Sequence, residues 1–231
     1  AQVQGNGTAP GVEKGGESDN LPMASTVSED GKWFLIPGSN FRLEMSQLPL
    51  MGRPDARHKI GLLFDYTCHF CRDLHSYVRS VVDEFDEDVA CVLIAMPLDA
   101  DCNGLVEETM KAHVNACKFA KICMAVHIAV PDKYEEFDRW LFSDHKNQKE
   151  LEAVKEFAED LAGKERLDEA LASEALEKQL QMNIKAHEIL CEHGRDTRMP
   201  QAVVGPEVVF GPAPSLDEVK RFLVNVLQIE E

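Results

Sequence analysis

The 231-residue sequence has no apolar run approaching the roughly 18 residues that a membrane-crossing helix requires. It is also short of positive charge: 24 Lys and Arg against 41 Asp and Glu give a net charge of −17. A field of that sign repels nucleic acid and anionic membrane surfaces, which excludes both as main partners and suits a soluble protein that meets other proteins. No basic, apolar signal segment opens the chain, and the first thirty or so residues, rich in Gly, Ser, Asn and Glu, lack apolar periodicity. Residues 1–30 are therefore expected to form a disordered arm. The chain begins Ala1-Gln2 without an initiating methionine, which fits removal of a signal peptide or anchor. The length allows one large domain or two small ones, and 44% hydrophobic residues is ordinary for a globular protein.

One further absence governs how the cysteines are read. There are seven, yet only one CxxC, with no second CxxC or CxxH pair to complete a tetrahedral zinc site. The neighbouring His69 and His75 cannot easily both turn toward a metal held by the two sulfurs, so no metal ligand set is assigned. Cys68-His69-Phe70-Cys71 follows the apolar run Ile60 to Tyr66, which reads as a buried strand. It precedes Leu74, Val78, Val81, Val82 and Phe85, whose spacing marks one face of a helix. The thiols thus sit at a strand-to-helix turn. Cys68 falls at the helix N-terminus, where unpaired N–H groups and the macrodipole favour an anion. Such a position lowers a thiol from about 8.5 to roughly 3.5–7. Cys71, one turn on, is within disulfide reach. A dithiol/disulfide centre with an exposed, anionic Cys68 is the leading reading, and a zinc or copper site the alternative.

The other five cysteines divide. Cys91 lies in an apolar run and Cys123 on an apolar helix face, so both read as buried small hydrophobes. Cys102 sits in the polar loop Asp99 to Gly104, and Cys117 about three and a half turns into the helix expected from Leu105. They are candidates for a structural disulfide if the loop folds back along that helix. Such a bond contributes on the order of 3 kcal/mol and implies an oxidising compartment. His75, His127 and His187 fall on or near apolar helix faces and read as packed side chains.

Short strand candidates occur at Trp33–Ile36 and Phe41–Met45, with a loop from Pro49 to Arg57. The strand over 59–66, the helix over 71–85 and a second buried strand over 89–96 come next. From about 104 to 195 the pattern is helical throughout, broken by Pro131 and Gly163 and stopped at Gly194. The tail returns to β: Ala202–Val204 and Val208–Phe210 flank Gly205-Pro206, a hairpin signal. The capping box Ser215-Leu216-Asp217-Glu218 opens a last helix. A β-α-β unit and a later β-β-α unit, with CxxC opening the first helix, is the thioredoxin order. The expected class is α/β: a thioredoxin-like domain over 31–231 with a large helical insertion at about 104–195.

With that insertion, and with the stretch Phe64-Asp65-Tyr66-Thr67-Cys68-His69-Phe70-Cys71-Arg72, the chain resembles the DsbA-like thiol:disulfide oxidoreductases from about Phe41 to Leu227. The resemblance implies a cis bond at Met199-Pro200, facing the CxxC and leaving the residue 199 backbone free to pair with a substrate peptide. It implies Cys68 as nucleophile and Cys71 as the resolving thiol. DsbA-like proteins commonly carry Pro-His between the cysteines, whereas this chain carries His-Phe. His69 is expected to donate to the thiolate or add positive charge beside it, and Phe70 to shield Cys71 and meet substrate. Asp65 reads as a strand-end polar group, with a proton relay to Cys71 as the sharper alternative.

The implied activity needs no cofactor beyond the redox-active disulfide. Its partners are cysteine-containing protein substrates and a redox recycling partner, for an oxidase a membrane oxidant. The expected setting is a monomer in an extracytoplasmic space, periplasmic or secreted. Oxidase ranks first; isomerase, reductase, copper or zinc handling, and a docking module with a permanent Cys68–Cys71 bond remain open.

Overall fold

The computed structural model describes residues 25–230. Its centre is a five-stranded sheet in the order β3-β5-β4-β6-β7, formed by β3 (Leu50–Met51), β4 (His58–Phe64), β5 (Val89–Ala95), β6 (Gln201–Val204) and β7 (Glu207–Phe210). β4 and β5 run parallel in a seven-pair register from His58↔Val89 to Phe64↔Ala95, and β6 pairs antiparallel with β4. Because side chains alternate across a strand, β4 sends Ile60, Leu62 and Phe64 to one core and Leu63 to the other. β5 likewise divides Cys91, Leu93 and Ala95 from Val92 and Ile94. Both faces are covered, which is why these two strands are near-continuous apolar runs rather than alternating ones.

On the first face lie α1 (His69–Glu84) and α7 (Leu216–Leu227). Leu74, Val78, Val81 and Val82 of α1 and Val219, Leu223 and Leu227 of α7 supply their share of this core. Ser215 caps α7, its Oγ accepting from the Glu218 N–H at 3.3 Å. On the second face a separate two-stranded sheet, β1 (Trp33–Leu35) and β2 (Arg42–Glu44), packs with α6 (Glu174–Gly194), burying Phe34, Leu43, Ala186 and Leu190 against Leu63 and Val203. Between the halves run α2 (Ala116–Ala129), α3 (Tyr134–Leu141), α4 (Leu151–Ala162) and α5 (Lys164–Leu171). Pro131 opens the 3-10 turn that separates α2 from α3, where its missing N–H costs nothing. This is a thioredoxin-like α/β fold with a helical insertion.

Several expectations require correction. Residues 1–24 of the expected arm lie outside the described residues, but from Ser25 the chain is placed. Thr26 is buried with its hydroxyl donating to the Lys59 carbonyl, and Val27 bridges Phe34. The loop expected from Pro49 contains β3, which pairs antiparallel with β5 through Leu50↔Val92. Gly194 is still helical, and Arg195, at φ 52°, takes the left-handed cap position.

The largest correction concerns Leu105: no α-helix begins there, and α2 starts at Ala116. Polar side chains capture the backbone of this segment instead. Asp99 accepts from the Thr109 hydroxyl at 2.9 Å and from the Cys117 N–H at 3.3 Å. Asn103 donates to the Pro97 carbonyl at 2.7 Å and accepts from the Leu105 N–H at 3.0 Å. Asn115, at φ 71°, turns the chain into α2. Cys117 is therefore the second residue of its helix rather than deep within it. It is bonded to Cys102 across a separation of 15 residues without the loop folding back along the helix.

Gly61 marks a close approach between the two sheets: a Cβ there would meet the Phe34 ring at 2.3 Å, and Phe34 is fully buried. Gly61→Ala is expected to destabilise the fold by about 1–3 kcal/mol through overpacking. Urea denaturation checks this, with Phe34→Leu expected to relieve part of the loss in the double variant.

Candidate active site

Cys68 is the N-cap of α1, with extended backbone (φ −74°, ψ 119°), and its carbonyl accepts the Arg72 N–H at 3.0 Å. The unpaired N–H groups of the first turn therefore surround its side chain. Cys71 is wholly buried in the first core, whereas Cys68 retains 7% exposure. The expectation of an exposed Cys68 is corrected to a thiol with a narrow opening. What separates the two sulfurs is ionisation. A hydrogen bond from the Cys71 thiol, supported by the Cys71 backbone N–H and the nearby His113, holds Cys68 down at about 6 against the opposing effects of burial and Asp65. Burial, with the neighbouring Cys68 charge, drives Cys71 well up. Of the five unbonded cysteines, only Cys68 is lowered; burial raises Cys71, Cys91, Cys123 and Cys191.

Two roles expected of the residues between the cysteines, a His69 hydrogen bond to the thiolate and a Phe70 shield over Cys71, are not what the geometry supports. Phe70 is 45% exposed and its ring lies 3.8 Å from that of His69. It covers His69, not Cys71, whose burial comes from the core beneath. Among the described residues the His69 ring makes no hydrogen bond, so no bond joins it to the thiolate.

The Met199–Pro200 bond is cis. The pairing of Leu63 with Gln201 in an antiparallel register carries the residues just before β6 to the sheet end where β4 runs into Asp65 and Cys68. Pro200 is fastened by its carbonyl, which accepts from Gly211 N–H at 2.8 Å. Among the described residues, the backbone N–H and C=O of Met199 take no hydrogen bond, which leaves a strand edge at the CxxC end of the sheet.

No family model matches the sequence, and no curated protein matches it. Solved structures do. The catalytic domain of Proteus mirabilis ScsC superposes with a TM-score of 0.60 at 16% identity, covering 80% of this chain and 91% of that one. A periplasmic thioredoxin-like protein from Salmonella enterica serovar Typhimurium gives 0.57 at 16% identity, covering 80% and 92%. The thiol-disulfide exchange protein alpha-DsbA2 from Wolbachia pipientis gives 0.58 at 16% identity, covering 78% and 87%. The chain has a DsbA-like thioredoxin fold.

Within this DsbA-like frame the structure adds residues that the motif does not contain. Asp65, buried at the end of β4, accepts from the Thr67 N–H at 2.6 Å, the Thr67 hydroxyl at 2.7 Å and the Leu98 N–H at 2.7 Å. His113 Nδ1 lies 3.0 Å from Thr67 Oγ1 and 3.4 Å from Asp65 Oδ2. Arg72, also buried, donates to the Thr67 carbonyl at 2.6 Å and the His145 carbonyl at 3.0 Å. Nothing in the sequence signals His113, because the loop that carries it reads as helix. His75, one turn beyond Cys71, is packed as expected: it stacks on Phe142 and meets the buried Asp138 at 3.0 Å, tying α1 to α3 of the insertion. Among the described residues no group of three or more His, Cys, Asp or Glu side chains could hold a metal ion.

Absorbance of the reduced protein at 240 nm is expected to show a thiolate titrating near 6 that Cys68→Ser removes. Alkylation at Cys68 should slow as pH falls through that value. Cys71→Ala, which removes the thiol donor, should move the titration up toward that of free cysteine, about 8.5. A Cys68 titration unchanged in Cys71→Ala would show that the donor is something else.

Proposed function

We propose that the protein is a thiol:disulfide oxidoreductase that exchanges disulfides with cysteine-containing protein substrates through Cys68 and Cys71. The observation that carries this reading is the placement of the two thiols, Cys68 at the N-cap of α1 and Cys71 wholly buried one turn on, which favours ionisation of the first and opposes that of the second. In the oxidised protein a substrate thiolate attacks Cys68 Sγ. The Cys68–Cys71 bond breaks, a mixed disulfide forms at Cys68, and Cys71 leaves and takes up a proton, as its burial favours. A second substrate thiolate then attacks the substrate sulfur of that mixed disulfide. Cys68 departs as a thiolate, and the two electrons that the substrate dithiol loses in becoming a disulfide end on the protein dithiol. A sulfur that ionises near 6 is a good leaving group, which favours the oxidase direction over reductase or isomerase.

The protein's own dithiol is the only redox group that the cycle uses. A recycling partner, for an oxidase a membrane-bound oxidant, must then remove the two electrons. Substrate main chain would pair with Met199 beside Pro200, while Phe70 offers an exposed apolar contact. The Cys102–Cys117 bond supports an extracytoplasmic setting, since such bonds persist in oxidising compartments. The periplasmic Salmonella protein of the same fold supports it too. Action as a monomer is part of the same reading.

The oxidised protein is expected to convert a reduced two-cysteine peptide to its disulfide with one equivalent of protein dithiol formed. Cys68→Ser should fall to the uncatalysed rate, and Cys71→Ser, mixed instead with the disulfide form of the peptide, should form a mixed disulfide visible as a mass adduct at Cys68 as one peptide thiol is released. No turnover by the parent, with Cys68→Ser indistinguishable from it, would remove the proposal.

A further inference from the structure

A buried carboxylate next to a thiolate is an obstacle that the exchange chemistry has to overcome. Asp65 is 1% exposed. It stands three residues before Cys68, and its charge opposes ionisation of both Cys68 and Cys71. Unpaired, a charge in such a place is strongly unfavourable and repels the thiolate that the site exists to hold. The hydrogen-bond pattern shows what answers it. The Thr67 hydroxyl has a single proton, and the 2.7 Å contact with Asp65 Oδ1 uses it. Its oxygen, 3.0 Å from His113 Nδ1, must then accept, so Nδ1 carries hydrogen and also points toward Asp65 Oδ2 at 3.4 Å. The hydrogen bond and charge of Asp65 raise this imidazole first, then the charges of Cys68 and Asp99, against desolvation.

The other basic side chains near Cys68 do not occupy this place. The His69 ring lies on Phe70. Arg72 sits within electrostatic reach of both sulfurs and of Asp65, but its donors go to the carbonyls of Thr67 and His145. His113 belongs to a different part of the chain, 46 residues from Thr67. The loop that brings it is closed at both ends by Asp99, which holds Thr109 and the Cys117 N–H, and by the Cys102–Cys117 bond. That bond therefore braces the wall of the exchange site as well as the insertion.

We propose that His113 is a positioning residue for disulfide exchange: as an imidazolium bonded to Thr67 and Asp65, it cancels the buried Asp65 charge and leaves Cys68 free to carry the negative one. This rests on the reading of Cys68 and Cys71 as an exchange centre, and it moves the charge-stabilising role from His69, inside the motif, to a loop residue outside it. Loss of the imidazolium leaves Asp65 uncompensated, so Cys68 becomes harder to ionise and the reduced protein less favoured. A cation of another shape at 113 restores the balance, whereas a neutral hydrogen-bonding side chain does not.

The test is the thiolate titration of Cys68 at 240 nm in the parent, His113→Gln and His113→Lys, with the position of the glutathione equilibrium at pH 7. His113→Gln is expected to raise the Cys68 titration by about one unit and to shift the equilibrium several-fold toward the disulfide; His113→Lys should return both toward the parent. A Gln variant that titrates like the parent, or Gln and Lys variants that move together, overturns the proposal. Should the Gln variant fail to fold, NMR titration of the parent's histidines decides: His113 must stay protonated through the pH range in which Cys68 ionises, and a neutral ring there overturns it. These readouts do not depend on turnover. A parent inactive in peptide oxidation whose Cys68 still follows the charge at 113 would sink the functional reading alone. An active parent with no such dependence would sink this one alone.

Discussion

The hydrogen bond from the Cys71 thiol to the Cys68 sulfur, made at the end of a helix, is the interaction on which the chemistry of this site depends. It works only because the two sulfurs have unequal surroundings. Cys71 lies in the core with no access to solvent, so ionising it would strand a charge in an apolar medium, and it stays a donor. Cys68 stands at the N-cap with a small opening to solvent, free backbone N–H groups around it and a thiol donating to it, so it is the one that ionises. A single helical turn thus separates a thiol held protonated from one held ready to ionise.

That inequality is maintained by packing on both sides of α1. Leu74, Val78, Val81 and Val82 fasten the helix to the sheet, and His75 joins it to Asp138 of the insertion. Burial alone would raise the Asp138 carboxyl, but His75 and Arg79 together hold it below the usual carboxylate range. A half-paired buried charge here would cost several kcal/mol, so α1 and α3 are constrained to move together. The helical insertion, which covers one side of the dithiol, is in this way locked to the element that carries it.

The elements that could be read directly from the chain are those whose local signals agree with their surroundings. β4, α1 and β5 combine apolar runs or 3-to-4 spacing with clear breaks, and each is found within two residues of its expected limits. The hairpin around Gly205-Pro206 and the Ser215 cap are equally local devices. The segment after Pro97 misleads because Leu105, Thr109 and Ala112 keep a helical spacing while Asn103 takes the Pro97 carbonyl and the Leu105 N–H, and Asp99 the Cys117 N–H, backbone groups that a helix would need. The short β3 escapes for the opposite reason: two residues have no period, and their pairing is decided by β5.

The candidate site divides along the same line. The sequence by itself determined that two cysteines one turn apart would open a helix after a buried strand, because strand, turn and helix signals are local and contiguous there. The Met199-Pro200 step ahead of β6 was picked out by the family resemblance and not by local signals. The sequence could not say which cation would stand beside the thiolate. His69 is adjacent in the chain but turns to Phe70, while His113 reaches Asp65 and Thr67 across 46 residues. Only tertiary structure decided that, and likewise the Cys102–Cys117 bond and the near-complete burial of Cys68. Charge compensation and burial depend on distance in space, and a loop bent by side-chain hydrogen bonds brings together groups that no spacing along the chain relates.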